Sequence, residues 1–294
     1  MVSRALPRRV FVFGWLSLLA EILIIGTGGA VRLTGSGLGC PTWPTCVGSS
    51  IVSTPEMGIH GIIEFGNRTL TGLVGLLALA VLIVTWRYRK QRRALFVLAL
   101  LPVLGVIAQA LVGGVTVLTG LNPFIVGFHY VASILIVAIC AAYLALAYTP
   151  AGPRVRSVPL GYAVLTHLLS VVLAVTIFIG VLTTGAGPHS GDDNAVRNGF
   201  DATLLSHLHA WPAYATFILA VLLLAWSIRS ERSMLRWQLG LFAAIVVQIM
   251  VGLVQANTGL PIVLVGTHMV LAAVMAALMT VVVLRLKQPV PTAA

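Results

Sequence analysis

The chain has 294 residues, of which 59% are hydrophobic and only 9% charged, with a formal net charge of +11. Soluble domains are about one quarter charged, so this composition excludes a soluble globule. The positive charge collects in alternate loops between apolar runs, which accounts for it without any nucleic acid as partner.

Apolar runs long enough to cross about 30 Å of hydrocarbon recur near residues 10 to 31, 62 to 86, 94 to 118, 124 to 148, 159 to 182, 203 to 228, 237 to 257 and 261 to 284. They predict eight membrane-spanning helices. Arg4, Arg8 and Arg9 precede the first run as they would in a signal peptide, but the run ends in Arg32 and a Gly-rich turn without a small-residue cleavage site. A retained helix is expected there. Arg87, Arg89, Lys90, Arg92 and Arg93 follow the second run, Arg154 and Arg156 the fourth, Arg229, Arg232 and Arg236 the sixth, and Arg285 and Lys287 the eighth. The positive-inside rule therefore puts both termini in the cytoplasm and Glu56, Asp192, Asp193 and Asp201 outside.

After the first span, GTGGAVRLTGSGLG supplies small residues suited to close helix approach or to backbone contact with a flat ligand. Arg32 within it suits either anionic propionate groups or simple snorkelling to the interface. Cys40 and Cys46 share the outward segment CPTWPTC, where they are either a disulfide or two free thiols.

The second span opens HGIIEFGNRTLTG, which sets His60, Glu64 and Asn67 along one helical stripe at i, i+4 and i+7. Glu64 either pairs with Arg68, four residues on, or stands beside a bound substrate as proton acceptor or stabiliser of positive charge. Cys140, inside the fourth span, reads as a packing residue. In VLTTGAGPHSGD, after the fifth span, His189 reads as easily as a solvated loop residue as a functional one.

An internal repeat relates the two halves. QALVGGVTVLTGLNPFIVGFH, residues 109 to 129, matches QIMVGLVQANTGLPIVLVGTH, residues 248 to 268, at ten of 21 positions without a gap. Gln109 falls on Gln248, Gly113 on Gly252 and His129 on His268. Four spans per half is an even number, so both halves enter from the same side. The expected fold is all-α: two four-helix bundles, residues 1–150 and 151–294, as a parallel repeat.

Ionisable groups inside a bilayer are costly and so mark function. His129 and His268 recur at one depth, which points to haem ligation by imidazole. A second imidazole belongs on a facing helix, and SHLHAW in the sixth span offers His207 and His209, about 200° apart on a helix, so only one of them faces a given iron.

These segments together resemble the haem A synthase family: GGAVRLTGSGLGCPTW, IEFGNR, TGLNPFIVGFH, SHLHA and TGLPIVLVGTH occur in that order over nearly the whole chain. The resemblance implies a multi-pass enzyme of the bacterial cell membrane that oxidises the position 8 methyl of haem O to a formyl group. It implies a haem b cofactor in the C-terminal half, held by His268 and His209, and haem O in the N-terminal half, contacted by His129 with Glu64 catalytic. His207 remains the alternative to His209, because aligning Trp86 with Trp226 puts His207 opposite Asn67. The resemblance also implies a Cys40–Cys46 disulfide. Where the family reads Glu-x-x-His-Arg, this chain reads Glu64-Phe65-Gly66-Asn67-Arg68, so Asn67 replaces a histidine and His60 lies too far along the helix to substitute. Further expected partners are membrane lipid, an electron donor, and haem O synthase or cytochrome oxidase assembly factors. A dihaem electron carrier and a haem transporter are the rival readings.

Overall fold

The computed structural model describes residues 6–290; Arg4, part of the expected basic N-terminus, lies outside the described residues. Eight helices are long and apolar enough to cross a membrane. They are α1 (Arg8–Leu33), α2 (Gly58–Trp86), α3 (Arg93–Leu118), α4 (Pro123–Ala147), α5 (Leu160–Ala186), α6 (Ala202–Arg229), α7 (Leu235–Asn257) and α8 (Ile262–Arg285). Each falls on a run expected from hydropathy. Helix α5 continues four residues beyond the expected 182, where the hydroxyls of Thr183 and Thr184 return hydrogen bonds to the carbonyls of Ile179 and Gly180. Helix α2 begins four residues early, on a short 3₁₀ turn at Pro55–Met57.

Local chemistry sets the breaks. Between α3 and α4 the chain turns on Gly120 and Leu121, both left-handed at φ 60°, and between α7 and α8 on Gly259 and Leu260 at φ 77° and 58°. A left-handed leucine is sterically costly, and it is compensated alike at both turns: Leu121 N–H donates to Thr116 O at 2.8 Å and Leu260 N–H to Gln255 O at 2.9 Å. Asn122 then caps α4 by accepting from Phe124 N–H, with Pro123 in the first turn. Asp201 caps α6 through Leu204 N–H.

Helices α1 to α4 pack in a ring in which each touches the next and α4 closes on α1; α5 to α8 do the same. The rings meet where α8 lies against α4 and α1 and where α5 lies against α4. One apolar core fills the first ring and extends to Ala272, Ala273 and Ala277 of α8, and a second runs from Val158 to Leu286 within α5 to α8. Small residues mark the close approaches. A Cβ on Gly29 of α1 would stand 3.5 Å from the Met269 sulfur of α8.

Two features at the basic end depart from a purely helical expectation. Arg154–Arg156 (β1) and Lys287–Pro289 (β2) form an antiparallel pair. Three-residue strands carry too little alternation to be read from sequence. Arg154 also donates to the carbonyls of Leu284 and Lys287, and Arg92 donates to those of Leu146 and Thr149. These two arginines thus satisfy the last carbonyls of α8 and α4, and burial lowers both guanidinium pKa values from the usual one.

Candidate functional site

His209 of α6 and His268 of α8 face each other, with ring centroids 6.4 Å apart and planes at 71°. Glycines make room for both rings. A Cβ on Gly180 of α5 would lie 2.8 Å from His209 Cε1, and one on Gly252 of α7 would lie 3.0 Å from His268 Cε1. His209 Nδ1 lies 2.9 Å from Thr176 O. A carbonyl only accepts, so the proton sits on Nδ1 and Nε2 keeps its lone pair, the state of a metal-ligating imidazole. His268 Nδ1 is buried without a partner among the described residues. Two metal–imidazole bonds of about 2 Å require roughly 6 Å between ring centroids, so this pair fits an iron held between them. His207, by contrast, is exposed and its Nδ1 turns back to Thr203 O at 2.8 Å.

His129 of α4 repeats the environment of His268. Gly113 of α3 stands against it, with 3.5 Å from an added Cβ to Cε1, and its Nδ1 is likewise buried and unpartnered among the described residues. Gln109 donates to His129 O at 2.7 Å as Gln248 donates to His268 O at 3.1 Å. Asn67 accepts from the Thr27 hydroxyl at 2.8 Å and lies beside Gly28, both on α1. His209 likewise meets the first helix of its half, through the Thr176 carbonyl and beside Gly180 of α5. Asn67 and His209 thus each pack against the first helix of their own half, whereas His207 makes no contact of that kind among the described residues. His60 is exposed near the mouth, with Nδ1 2.9 Å from the Ser36 hydroxyl.

The first ring carries a disulfide-bonded roof. Cys40 and Cys46 are disulfide-bonded. Trp43 between them lays its indole on Gly114, the neighbour of the glycine under His129; a Cβ there would stand 2.6 Å from Trp43 Cε2. In the repeat, Leu253 occupies the place of Gly114. Glu64 and Arg68 hold this segment down. Glu64, 5% exposed, accepts from Cys40 N–H at 2.6 Å through Oε2, and from Arg68 Nε at 3.1 Å and Nη2 at 2.6 Å through Oε1. Arg68 also donates to the carbonyls of Cys40, Thr42 and Thr45. The i, i+4 pair weighed from sequence is present, as part of a clamp on the loop. Glu64 and His129 each lie six residues from the start of their helices, about 9 Å into them.

Arg32 is engaged by backbone carbonyls of the other ring. It donates to His189 O at 2.8 Å and Thr184 O at 3.0 Å, so it ties the end of α1 to the loop after α5. His189 is not a solvated loop residue: it is half-buried and its Nε2 donates to Leu260 O at 2.9 Å. With Gly37 N–H on Gly191 O, these bonds lock the two rings together at the disulfide end. Cys140 is buried against Ser17, as a packing residue would be. Glu21 escapes sequence reasoning, because hydropathy averaging hides one carboxylate in an apolar run. It is 3% exposed.

Comparison with known proteins gives the same direction. Residues 11–280 match the model of the COX15-CtaA family, described as cytochrome oxidase assembly protein. Among curated relatives, Heme A synthase of Halalkalibacterium halodurans is 29% identical over 290 residues, covering 93% of each chain. Heme A synthase of Shouchella clausii is 27% identical over 240 residues, 75% of this chain and 76% of the relative. A Bacillus cereus Heme A synthase is 36% identical over 120 residues, 40% of this chain and 38% of its own. The chain belongs to the COX15-CtaA family.

Proposed function

We propose that this chain is a haem A synthase of the bacterial cell membrane, an oxidoreductase that converts the position 8 methyl of haem O to a formyl group. The observation that carries the reading is the inequality of two otherwise matched sites. One offers paired imidazoles set for permanent ligation, and the other a single histidine under a disulfide-bonded roof. A resident cofactor needs the first, and a substrate that must leave as product suits the second. The same inequality disfavours a dihaem electron carrier, which calls for two complete ligand pairs.

In this reading residues 151–294 hold haem b between His209 and His268, and residues 1–150 receive haem O beside His129. Haem b, when bound, supplies one-electron chemistry. Thr176 O keeps the Nδ1 proton on His209 and so its Nε2 available. Asn67, bonded to Thr27, leaves the side facing His129 without a strong ligand. Glu64 stands one turn from Asn67 on the same helix, toward the disulfide end, and acts as the catalytic carboxylate. Its oxygens already accept from Arg68 and Cys40, which favours stabilisation of positive charge developing on the substrate over free proton abstraction. Trp43 and the disulfide loop exclude water from above. Arg32 serves as the tie between the rings, and His60 and His207 place polar groups at the mouths of their halves. An electron donor is required, and haem O synthase and cytochrome oxidase assembly factors are the natural neighbours for delivery and use of the product.

Purified protein supplied with haem O, reductant and oxygen should form haem A, identified by pyridine haemochrome spectra. No haem A from protein loaded at both sites would overturn the assignment.

A further inference from the structure

Glu21 is a carboxylate in the middle of α1 with no ionic partner. It is 3% exposed, its Oε1 has no hydrogen bond among the described residues, and the single ion pair among those residues is Glu64 with Arg68. An isolated carboxylate inside a bilayer is too costly to keep without a use. Its surroundings are polar on one side only. One turn toward the basic end lies Ser17, 3.9 Å from the sulfur of Cys140 on α4. Ser17, Cys140 and Tyr143 line a small cavity between α1, α2, α3 and α4 with Gly14 and Pro102. Tyr143 then hydrogen-bonds Thr85, the penultimate residue of α2, at 2.7 Å. On the other side, Ser17 against Cys140 sets Glu21 level with about residue 136 of the antiparallel α4, so Ser133, bonded to Gln109, lies three residues or about 4.5 Å nearer the disulfide end, and Asn67, bonded to Thr27, about 9 Å nearer.

We propose that Glu21 is a protonated carboxylic acid that exchanges protons between the first-ring site and the basic end of the bundle, by way of Ser17, the cavity beside Cys140, and the Tyr143–Thr85 pair. Each transfer is a simple hand-over. The Glu21 proton passes to the Ser17 hydroxyl, whose own proton moves to a water in the cavity and on toward the basic end, and the carboxylate regains a proton from the first-ring side; the reverse order carries a proton inward. Oxidising a C–H bond at the first-ring site exchanges protons as well as electrons with its surroundings, and the roof of Trp43 and the clamped loop closes the opposite exit. Glu21 is thus a positioning residue for protons, acting through its neighbours. This extends the assignment of residues 1–150 as the substrate half, but its main test needs no turnover.

Infrared difference spectra of the purified protein with and without Glu21→Gln should isolate a protonated carboxylic C=O band. That band should shift on transfer to D2O, and Ser17→Val should slow the shift at least tenfold. In haem A formation, Glu21→Gln should lower the rate about 100-fold, Glu21→Asp should restore most of it, and the reduced spectrum of the His209–His268 site should be unchanged in both. A Glu21 that gives no protonated band, a band that never exchanges, an exchange rate indifferent to Ser17→Val, or a wild-type rate in Glu21→Gln each overturns the proposal. If no haem A forms even in the parent protein, the infrared result still stands by itself.

Discussion

Glu64→Gln separates the chemistry of the first ring from its architecture. The native carboxylate accepts three hydrogen bonds, two from Arg68 at 2.6 and 3.1 Å and one from Cys40 N–H at 2.6 Å. Glutamine keeps the shape but has one acceptor. If its oxygen stays with Arg68, its NH2 faces the Cys40 N–H, donor against donor; if it turns, it faces the guanidinium. Arg68 meanwhile keeps its three carbonyl partners, so the loss falls below the ~3–5 kcal/mol of breaking a fully buried pair. One charge-assisted bond lost and one buried donor unmade amount to about 2–3 kcal/mol. Where that energy holds the loop over the reacting site and stabilises positive charge there, it corresponds to a rate about 30- to 160-fold lower. The assay is haem A formed per minute by protein whose His209–His268 site shows a normal reduced spectrum, with Trp43 emission reporting the loop. A wild-type rate in Glu64→Gln would refute the role given to this carboxylate.

Two further outcomes test the second ring. His268→Ala should abolish the haem b spectrum of purified protein, and His207→Ala, whose ring is exposed and turned to Thr203, should leave it intact. Loss of that spectrum in His207→Ala would reverse the choice of His209. The glycines under the rings should also differ. Gly180→Ala puts a methyl 2.8 Å from His209 Cε1, so the ring must move, whereas Gly113→Ala meets His129 at an ordinary 3.5 Å. The first should broaden or shift the haem b bands, and the second should leave them unchanged.

Much of this molecule is legible in one dimension. Eight spans follow from the thickness of hydrocarbon and the cost of unsatisfied backbone in it, which permits little besides helices. Gln109 and Gln248, Gly113 and Gly252, and His129 and His268 reveal the repeated site because polar residues recurring in apolar sequence are not explained by hydropathy.

Tertiary structure alone decided what those residues face. His207 and His209 lie two residues apart on one helix, and in the sequence only the family resemblance favours His209. The contact of His209 with Thr176 and Gly180 turns it inward, because helix rotation is set by packing against a neighbour and not by composition. Arg32, which the sequence left between propionate contact and snorkelling, ties the two rings, through carbonyl partners more than 150 residues away. Glu64 and Arg68 were visible as an i, i+4 pair, but their hold on the disulfide loop depends on where a long segment folds back. Sequence by itself determined that the chain crosses the membrane eight times and repeats its histidines. The fold determined which histidines meet, and that Trp43 and the disulfide loop close over the first half.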